Sequence, residues 1–127
     1  MKIVGTGSCL PQKVVTNDDL AAIMDTSDEW ISSRTGIKTR HIATTETTTS
    51  LAVQAVKNAV EDAGIDGSSI DLIIAASVST DKIVPSLACQ IQAEIGAEGA
   101  VAFDINAACS GFLFGLATAD AYFKTGR

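Results

Sequence analysis

Cys109 stands in the stretch DINAACSGF (104–112), between two alanines and a Ser-Gly pair. The run AVAFDI (100–105) before it predicts a strand, and SGFLFGLATADAYFKTG (110–126) after it predicts a helix. Open α/β sheets bind ligands at the carboxyl ends of their strands, which is where this turn lies. A helix N-terminus favours the thiolate, and its free N–H groups can stabilise an oxyanion. The pattern indicates a nucleophilic thiol, and an inert buried cysteine is the alternative interpretation.

The other two cysteines show no such pattern. Cys9 follows an apolar run, and Cys89 falls within a predicted helix, so we expect both to be small packing residues. Three cysteines at wide spacing form neither a disulfide framework nor a metal-ligand cluster. This usage is typical of a reducing cytosol, so we expect a cytoplasmic protein without a bound metal.

Composition narrows the class of protein further. The chain has 127 residues, 46% of them hydrophobic and 19% charged, which describes one packed domain. The net charge is −6 and no segment concentrates Lys and Arg, so nucleic acid is not an expected partner. Apolar stretches such as LIIAASV and FLFGLA are too short to cross a bilayer. The start MKIVGTGS lacks the pattern of a secretory signal.

Alternating strands and helices must position the cysteine. Strands are predicted at 2–7, at 71–78 with both faces buried, and at 100–105. Helix starts are predicted at Thr16, which faces Asp19, and at Thr26, which faces Glu29, with Gly36 as the stop; further helices are predicted from Leu51 to Gly64, from Pro85 in the first turn to Gly96, and over 110–126. The tract 39–50 is predicted to be an irregular loop.

This alternation predicts an α/β layered fold. The last helix carries apolar residues that need a wider sheet to cover them, so the chain is expected to be part of a larger fold. Gly5 and Gly7 do not form a phosphate-binding loop, because Leu10 breaks the G-x-G-x-x-G pattern. We expect these two glycines to allow close packing instead.

Five stretches in order along the chain carry a family resemblance: GTGSCLP (5–11), TNDDL (16–20), TSDEWISSRTGIKTRHIA (26–43), PSLACQIQAEIG (85–96) and AFDINAACSGF (102–112). Together they resemble beta-ketoacyl-acyl-carrier-protein synthase III, the initiating condensing enzyme of bacterial fatty acid synthesis. The resemblance implies a thiolase-like fold of two related halves, with residues 1–127 forming most of the first. It also implies a homodimer, and a second half that supplies a catalytic His and Asn.

The resemblance also implies the roles of individual residues. Cys109 matches the nucleophile that takes an acyl group from acyl-coenzyme A before condensation with malonyl-acyl carrier protein, and no other cofactor is implied. Trp30 matches the residue that stacks on adenine, with Thr26 bonding near it and Arg34 meeting phosphate; on its own, a Trp at helical spacing is more often a core residue. His41, the only histidine, falls where the family has no catalytic group.

One departure from the family concerns the acyl pocket. Members selective for acetyl groups often have a phenylalanine before the Pro-Ser pair, which reaches across the dimer and closes the partner's pocket. Val84 stands in that place, which predicts a deeper pocket that accepts four-carbon or branched primers as well.

Several alternatives stay open from the sequence. The chain could belong to another thiolase-fold acyltransferase, of the polyketide or quinolone starter type. It could be a catalytically silent half-domain when alone, or a cysteine hydrolase that uses Cys109 with water. A hydrolase would need a base close to the thiol, and no such partner is visible.

Overall fold

The structure, a computed structural model, describes residues 2–126. The chain divides into two compact units, which are described separately. The hairpin unit is Leu10–Glu46, and the sheet unit comprises residues 2–9 and 47–126. No helix within 2–126 combines the length and the apolar character that crossing a membrane requires.

The hairpin unit is built on two antiparallel strands. Lys13 lies opposite Ile42, and Thr16 lies opposite Thr39. Two short helices connect the strands. In chain order, the elements are β1 (Lys13–Thr16), α1 (Asn17–Ala21), α2 (Asp28–Thr35) and β2 (Thr39–Ile42).

Side-chain caps set the helix ends in the hairpin unit. The predicted capping box is confirmed, because the Thr16 hydroxyl accepts from the Asp19 N–H at 3.1 Å and the Asp19 carboxylate accepts from the Thr16 N–H at 2.8 Å. The predicted pairing of Thr26 with Glu29 is wrong. The cap of α2 is Ser27, whose hydroxyl accepts from the Trp30 N–H at 3.1 Å. These caps fix where α1 and α2 begin.

Most of the tract 39–50 is regular, so the prediction of a loop there is wrong. Its first four residues form β2, because β-branched Thr and Ile suit a strand once β1 provides a partner. The helix α3 (Thr48–Ala63) starts inside the same tract, capped by the Thr47 side chain, which accepts from the Ser50 N–H. Only the residues between these two elements are irregular.

The sheet unit has the predicted α/β layers. Its further elements are β3 (Leu72–Ala76), α4 (Leu87–Ile95), β4 (Val101–Ile105) and α5 (Gly111–Thr125). The strands β3 and β4 are parallel, with Leu72 opposite Val101. On one face, side chains of α3 and α4 pack around Ala75 in a core of Val53, Ala75, Leu87, Ala88 and Ile91. The alternate face lies under α5, where the backbone at Gly115 approaches Ile74 and Ile105.

Helices thus cover both faces of β3, but the expectation that this strand is fully buried is wrong. Ala75 alone in β3 is buried, and Ala76 is exposed. A sheet of two strands is narrow, so much of each strand lies beside an edge. In the same unit, α4 begins after Ser86, which caps it, and Pro85 lies before that cap rather than in the first turn.

The predicted strand at 2–7 is also wrong within the described residues. A strand needs a neighbour for its backbone groups, and this segment forms no ladder with β3 or β4. Instead it lies against α3. A Cβ atom on Gly5 would lie 2.6 Å from the Ala59 carbonyl oxygen, and one on Gly7 would overlap the backbone of Ala55 and Ala59. The expectation that both glycines allow close packing is confirmed.

Candidate functional site

Cys109 lies in the turn between β4 and α5, as the sequence predicts. The thiol is free and the residue is exposed among the described residues, so Cys109 is not a buried packing residue of this chain. A short 3-10 turn, Ala108–Ser110, presents it, and Ala108 has a φ of 43°. A left-handed conformation costs a non-glycine residue about 1–2 kcal/mol, and such strain is found most often at functional sites.

Small residues allow the chain to make this turn. Gly111, the first residue of α5, is buried, and a Cβ atom there would lie 3.0 Å from the Ala76 Cβ at the end of β3. The start of α5 therefore sits directly over the end of the neighbouring strand. Gly111 is only two positions after Cys109, so this close approach also fixes the location of the thiol.

The N-terminus of α5 has no side-chain cap among the described residues. Ser110 occupies the cap position, but its side chain makes no capping hydrogen bond. The backbone donors of the first helical turn are therefore not occupied by a side chain. Donors and a helix dipole at this end favour negative charge, such as that on the oxyanion of a bound carbonyl group.

The two remaining cysteines and the histidine lie in different surroundings. Cys9 and Cys89 are half-buried, and the Cys89 Sγ lies 3.8 Å from the Ala102 carbonyl oxygen. The His41 Nδ1 lies 2.6 Å from the Pro11 carbonyl oxygen within the hairpin unit. This hydrogen bond holds the tautomer that carries a proton on Nδ1, and it gives the imidazole a structural role there.

Trp30 and Arg34 form a pair on the surface of α2. The Trp30 side chain is 54% exposed, whereas Ile31 is the buried residue of this helix, so Trp30 is not a core residue of the hairpin unit. The Arg34 guanidinium carbon lies 4.5 Å from the Trp30 ring centroid, and its Nη1 donates to the Trp30 carbonyl oxygen at 3.4 Å. Both side chains line an open pocket of about 270 Å³. Thr26 is half-buried just before the helix cap and does not line this pocket.

A buried polar cluster that the sequence analysis missed holds α2 in place. Asn17 is 1% exposed, and its amide nitrogen donates to Asp28 Oδ1 at 2.7 Å and to the Ile37 carbonyl oxygen at 2.8 Å. The Arg40 guanidinium donates to Asn17 Oδ1 at 2.6 Å. We call Asn17, Asp28, Ser32 and Arg40 the Asn17 cluster. In the sequence, Asn17 signals only a helix start, and nothing local shows that its amide joins residues that are distant along the chain.

The charge of Asp28 is stabilised inside this cluster. Hydrogen bonds from Asn17, then from Lys38 and Ser32, lower the pKa of the Asp28 carboxyl to about 2. Lys38 Nζ lies 3.0 Å from Asp28 Oδ2. Asp28 is in the first turn of α2, so the cluster fixes the N-terminal end of this helix. Trp30 and Arg34 project from the same helix.

Val84 lies on an exposed segment between β3 and α4. Its side chain is 82% exposed, and that of the preceding Ile83 is 91% exposed. The neighbouring Ile83 borders a pocket beside the end of β4.

No group of three or more His, Cys, Asp and Glu side chains within residues 2–126 has a geometry that could hold a metal ion. The candidate site residues lie in three places. These are the Cys109 turn and the Val84 segment in the sheet unit, and the Trp30–Arg34 pair in the hairpin unit.

Comparisons with known proteins agree with the resemblance found in the sequence. Residues 103–127 match the family described as 3-oxoacyl-[acyl-carrier-protein] synthase III. The whole chain is 54% identical to the beta-ketoacyl-[acyl-carrier-protein] synthase III of Clostridium acetobutylicum over 127 residues, and it covers 39% of that relative. The chain thus spans about 39% of the length of the curated relatives it matches.

Solved structures confirm the thiolase-like α/β fold. The 3-oxoacyl-[acyl-carrier-protein] synthase III of Aquifex aeolicus superimposes with a TM-score of 0.93 at 53% identity, over 98% of this chain and 41% of that one. A priming beta-ketosynthase from a polyketide biosynthetic pathway superimposes with a TM-score of 0.90 at 37% identity, over 95% of this chain and 36% of that one.

Proposed function

We propose that the chain forms most of the first half of an initiating condensing enzyme of fatty acid synthesis, a beta-ketoacyl-acyl-carrier-protein synthase III. The observation that carries this proposal is the similarity of the whole chain, at 54% identity, to a protein of that name. The exposed thiol of Cys109 at a strand end supports it, because a condensing enzyme of this type needs an accessible nucleophile in such a turn. The enzyme is expected to work in the cytoplasm.

The reaction begins with transfer of an acyl group to Cys109. The thiolate attacks the carbonyl carbon of acyl-coenzyme A, the new carbon–sulfur bond forms, and coenzyme A leaves with the electron pair and takes up a proton. The uncapped first turn of α5 is proposed to stabilise the oxyanion that develops in this step. No further cofactor is needed, because acyl-coenzyme A is the substrate that supplies the acyl group.

Condensation follows on the thioester. Malonyl-acyl carrier protein loses CO2, and the carbanion so formed attacks the acyl carbon, which releases the Cys109 thiolate and gives beta-ketoacyl-acyl carrier protein. A thiolate is a good leaving group for this carbon–carbon bond formation. The His and Asn that the resemblance implies for decarboxylation come from the second half of the fold, outside this chain.

Coenzyme A is proposed to bind at the Trp30–Arg34 pair. The exposed indole offers a face on which adenine can stack, and Arg34, one helical turn later, offers a guanidinium to a phosphate oxygen. Thr26 would bond near the adenine ring. The present cation–π contact between Arg34 and Trp30 shows that both groups lie on the same side of α2.

The primer is proposed to enter a pocket that Val84 of the partner subunit closes in a homodimer. Valine is smaller than the phenylalanine of acetyl-selective members, so four-carbon and branched primers should be accepted beside acetyl. Each additional buried methylene can contribute about 0.8 kcal/mol to binding. Preference for such primers would appear as a ratio of kcat/KM between isobutyryl- and acetyl-coenzyme A.

A second candidate function is that of a starter enzyme in a polyketide or related pathway. The observation that favours it is the similarity to the priming beta-ketosynthase at 37% identity. The higher identity to the Clostridium relative favours fatty acid synthesis. The two candidates differ in the acceptor that takes the acyl group, so assays with malonyl groups on different carrier proteins distinguish them.

The test uses the full-length protein and acetyl-coenzyme A. We expect mass spectrometry to find an acetyl group on the peptide that contains Cys109, and Cys109→Ala to abolish both this label and condensation. Cys89→Ser is the matched control, because Cys89 is a half-buried residue of α4 and should keep activity. A label on Cys9 or Cys89, or full activity in Cys109→Ala, would contradict the proposal.

A further inference from the structure

The segment 77–86, which we call the arm, joins β3 to α4 and carries Val84. It contains no helix or strand. Ile83 and Val84 have the most exposed large hydrophobic side chains among the described residues of the sheet unit. An exposed loop with apolar residues at its tip has few contacts of its own to keep it in one position. Within a single chain, the placement of Val84 therefore depends on anchors elsewhere in the arm.

Asp81 provides one such anchor, at the N-terminus of α3. Its Oδ1 accepts from the Thr48 N–H at 3.2 Å, and its Oδ2 accepts from the Thr49 N–H at 2.7 Å. The Thr48 hydroxyl donates to the Ser79 carbonyl oxygen at 2.9 Å, which binds the arm to the same helix end a second time. Hydrogen bonds from Thr49 are the main reason that the pKa of Asp81 lies below its ordinary value.

The N-cap of α3 is Thr47 and not Asp81. Thr47 and Ser50 already form a capping box, in which the Thr47 side chain accepts from the Ser50 N–H at 3.1 Å and the Ser50 side chain accepts from the Thr47 N–H at 2.9 Å. The two N–H groups that this box leaves over, those of Thr48 and Thr49, are the ones that Asp81 takes. Because Asp81 belongs to the arm, these two hydrogen bonds also tie the arm to the end of α3.

A second anchor holds the other end of the arm. The Asp104 carboxylate on β4 accepts from the Leu87 N–H at 2.8 Å and from the Ala88 N–H at 2.7 Å, which fixes the start of α4 beside the strand. Ser86 caps the same helix. Between Asp81 and Ser86 only Lys82, Ile83, Val84 and Pro85 remain, so the two carboxylates determine the span at whose tip Val84 stands.

We propose that Asp81 is a positioning residue for primer selection. It binds neither substrate nor the reacting atoms; its carboxylate fixes the arm on α3 so that Val84 is presented at one place. This inference rests on the proposed function, in which Val84 closes the acyl pocket of the partner subunit. Without the anchor, the arm moves and the pocket loses a defined depth.

The test compares Asp81→Ala with the unaltered full-length protein in two measurements. Hydrogen exchange of the amides in 77–86 reports the anchor directly, and it should become faster in the variant. The ratio of kcat/KM for isobutyryl- and acetyl-coenzyme A reports selection, and it should change by about tenfold, the lower end of what one methylene in a pocket is worth. Asp81→Asn keeps one acceptor oxygen, so both changes should be smaller in this variant than in Asp81→Ala.

Asp66→Ala is the matched control. Asp66 is an exposed carboxylate of the same unit that also accepts a backbone N–H, from Ser68 at 2.8 Å, but this contact is local and does not reach the arm. The control should leave both the exchange of the arm and the primer ratio unchanged. The rate at which iodoacetamide alkylates Cys109 should be the same in every variant.

The possible outcomes separate this inference from the proposed function. Unchanged exchange of the arm in Asp81→Ala overturns the anchor, whatever the activity. Faster exchange with an unchanged primer ratio in an active enzyme overturns the role in selection. If the unaltered protein takes no acyl group from any acyl-coenzyme A, the proposed function fails and the role in selection fails with it, while the exchange data still decide whether Asp81 holds the arm.

Discussion

The two units hold their candidate site residues by different physical means. In the sheet unit, the Cys109 turn depends on close backbone packing: Gly111 sits against Ala76, and Ala108 takes a left-handed conformation, with no side-chain cap on α5. In the hairpin unit, the buried amide of Asn17 forms a hydrogen bond to Asp28 in α2 and further hydrogen bonds to Ile37 and Arg40. One site is fixed by the absence of side-chain volume and the other by the presence of polar atoms.

This difference decides which substitutions each region tolerates. A close-packed turn is sensitive to added carbon atoms, because neighbouring backbone must move to admit them. A buried polar cluster is sensitive to a lost donor or acceptor, since the partners left behind are buried without water. The comparison is tested by removing a hydrogen-bond donor in the hairpin unit and by adding carbon atoms at the Cys109 turn.

The largest effect is expected for Asn17→Asp. The carboxylate keeps the shape of the amide but cannot donate to Asp28 or to the Ile37 carbonyl oxygen, and it brings a second negative charge close to Asp28. The free energy of opening the hairpin unit should fall by about 3 kcal/mol, since buried groups with charged partners lose their hydrogen bonds. Hydrogen exchange of the α2 amides in the full-length protein measures this, because each 1.4 kcal/mol corresponds to about a tenfold faster exchange.

Asn58→Asp is the control for this prediction. Asn58 is a half-buried residue of α3. Its side-chain amide donates a single hydrogen bond, to the Ser8 carbonyl oxygen at 2.9 Å. Its replacement should leave the exchange of α2 unchanged. If Asn17→Asp also leaves that exchange unchanged, the Asn17 cluster does not hold α2, and the comparison between the two units fails.

A smaller effect is expected for Gly111→Val. The added side chain meets the Ala76 Cβ and must move the start of α5, which costs about 1–3 kcal/mol as overpacking and displaces the thiol. Acylation of Cys109 by acetyl-coenzyme A should become slower, as followed by intact mass spectrometry over time.

Gly115→Ala provides the matched control in the same helix. A Cβ atom there would lie 3.7 Å from Ile105 Cδ1, an ordinary contact, and alanine favours the helix interior by about 1 kcal/mol over glycine. This variant should acylate normally and be no less stable. Equal acylation rates for Gly111→Val and Gly115→Ala would show that the close approach at Gly111 does not place the thiol.

The same contrast explains how much the sequence could predict. The Cys109 turn was predictable because its signals are local: an apolar run, a cysteine among small residues, and a helical pattern directly after it. Gly36, Gly64 and Gly96 end their helices as predicted, and each has a left-handed conformation; those too are local signals. The family resemblance then supplied the functional hypothesis, which local patterns alone left open.

Contacts between distant residues were not predictable in this way. The strand β2 forms because β1 lies beside it, which the polar composition of its tract does not show. Asn17 bonds to residues 11, 20 and 23 positions away, so no window of sequence reveals its burial. The anchor at Asp81 depends on Thr48 and Thr49, more than 30 positions earlier in the chain.

The next prediction concerns the surface that the Asn17 cluster supports. Arg34→Ala should weaken the binding of coenzyme A about tenfold, which is the loss of one hydrogen bond to a charged group. Isothermal titration with coenzyme A measures the change, and the Trp30 fluorescence should respond to the ligand in the unaltered protein. Lys13→Ala removes another cation of the hairpin unit and should leave affinity unchanged. Equal affinities of Arg34→Ala and the unaltered protein would remove Arg34 from the proposed site.

Acid should weaken the hairpin unit by a smaller effect. The pKa of Glu46 is lowered to about 2, first by the Gln12 N–H and then by other backbone N–H groups. The Gln12 nitrogen lies 2.9 Å from Glu46 Oε1. The pKa of Asp28 is lowered to about 2 by the Asn17 cluster and Lys38. Both carboxyls therefore bind protons less readily in the folded unit than in the unfolded chain. Their ionised forms stabilise the hairpin unit above about pH 4, and this contribution is lost as the pH falls towards 2.

Hydrogen exchange of the β1 and β2 amides should accordingly become faster between about pH 4 and 2, after correction for the intrinsic dependence of exchange on pH. Glu46→Gln removes one of the two titrating groups, so it should weaken protection at neutral pH and make protection less dependent on pH in this range. Asp66→Asn, in the sheet unit, should leave the acid transition of the hairpin unit where it is. An acid transition of β1 and β2 that is identical in Glu46→Gln and the unaltered protein would mean that packing, and not these carboxylates, holds the hairpin unit together, and the contrast with the Cys109 turn would lose its electrostatic basis.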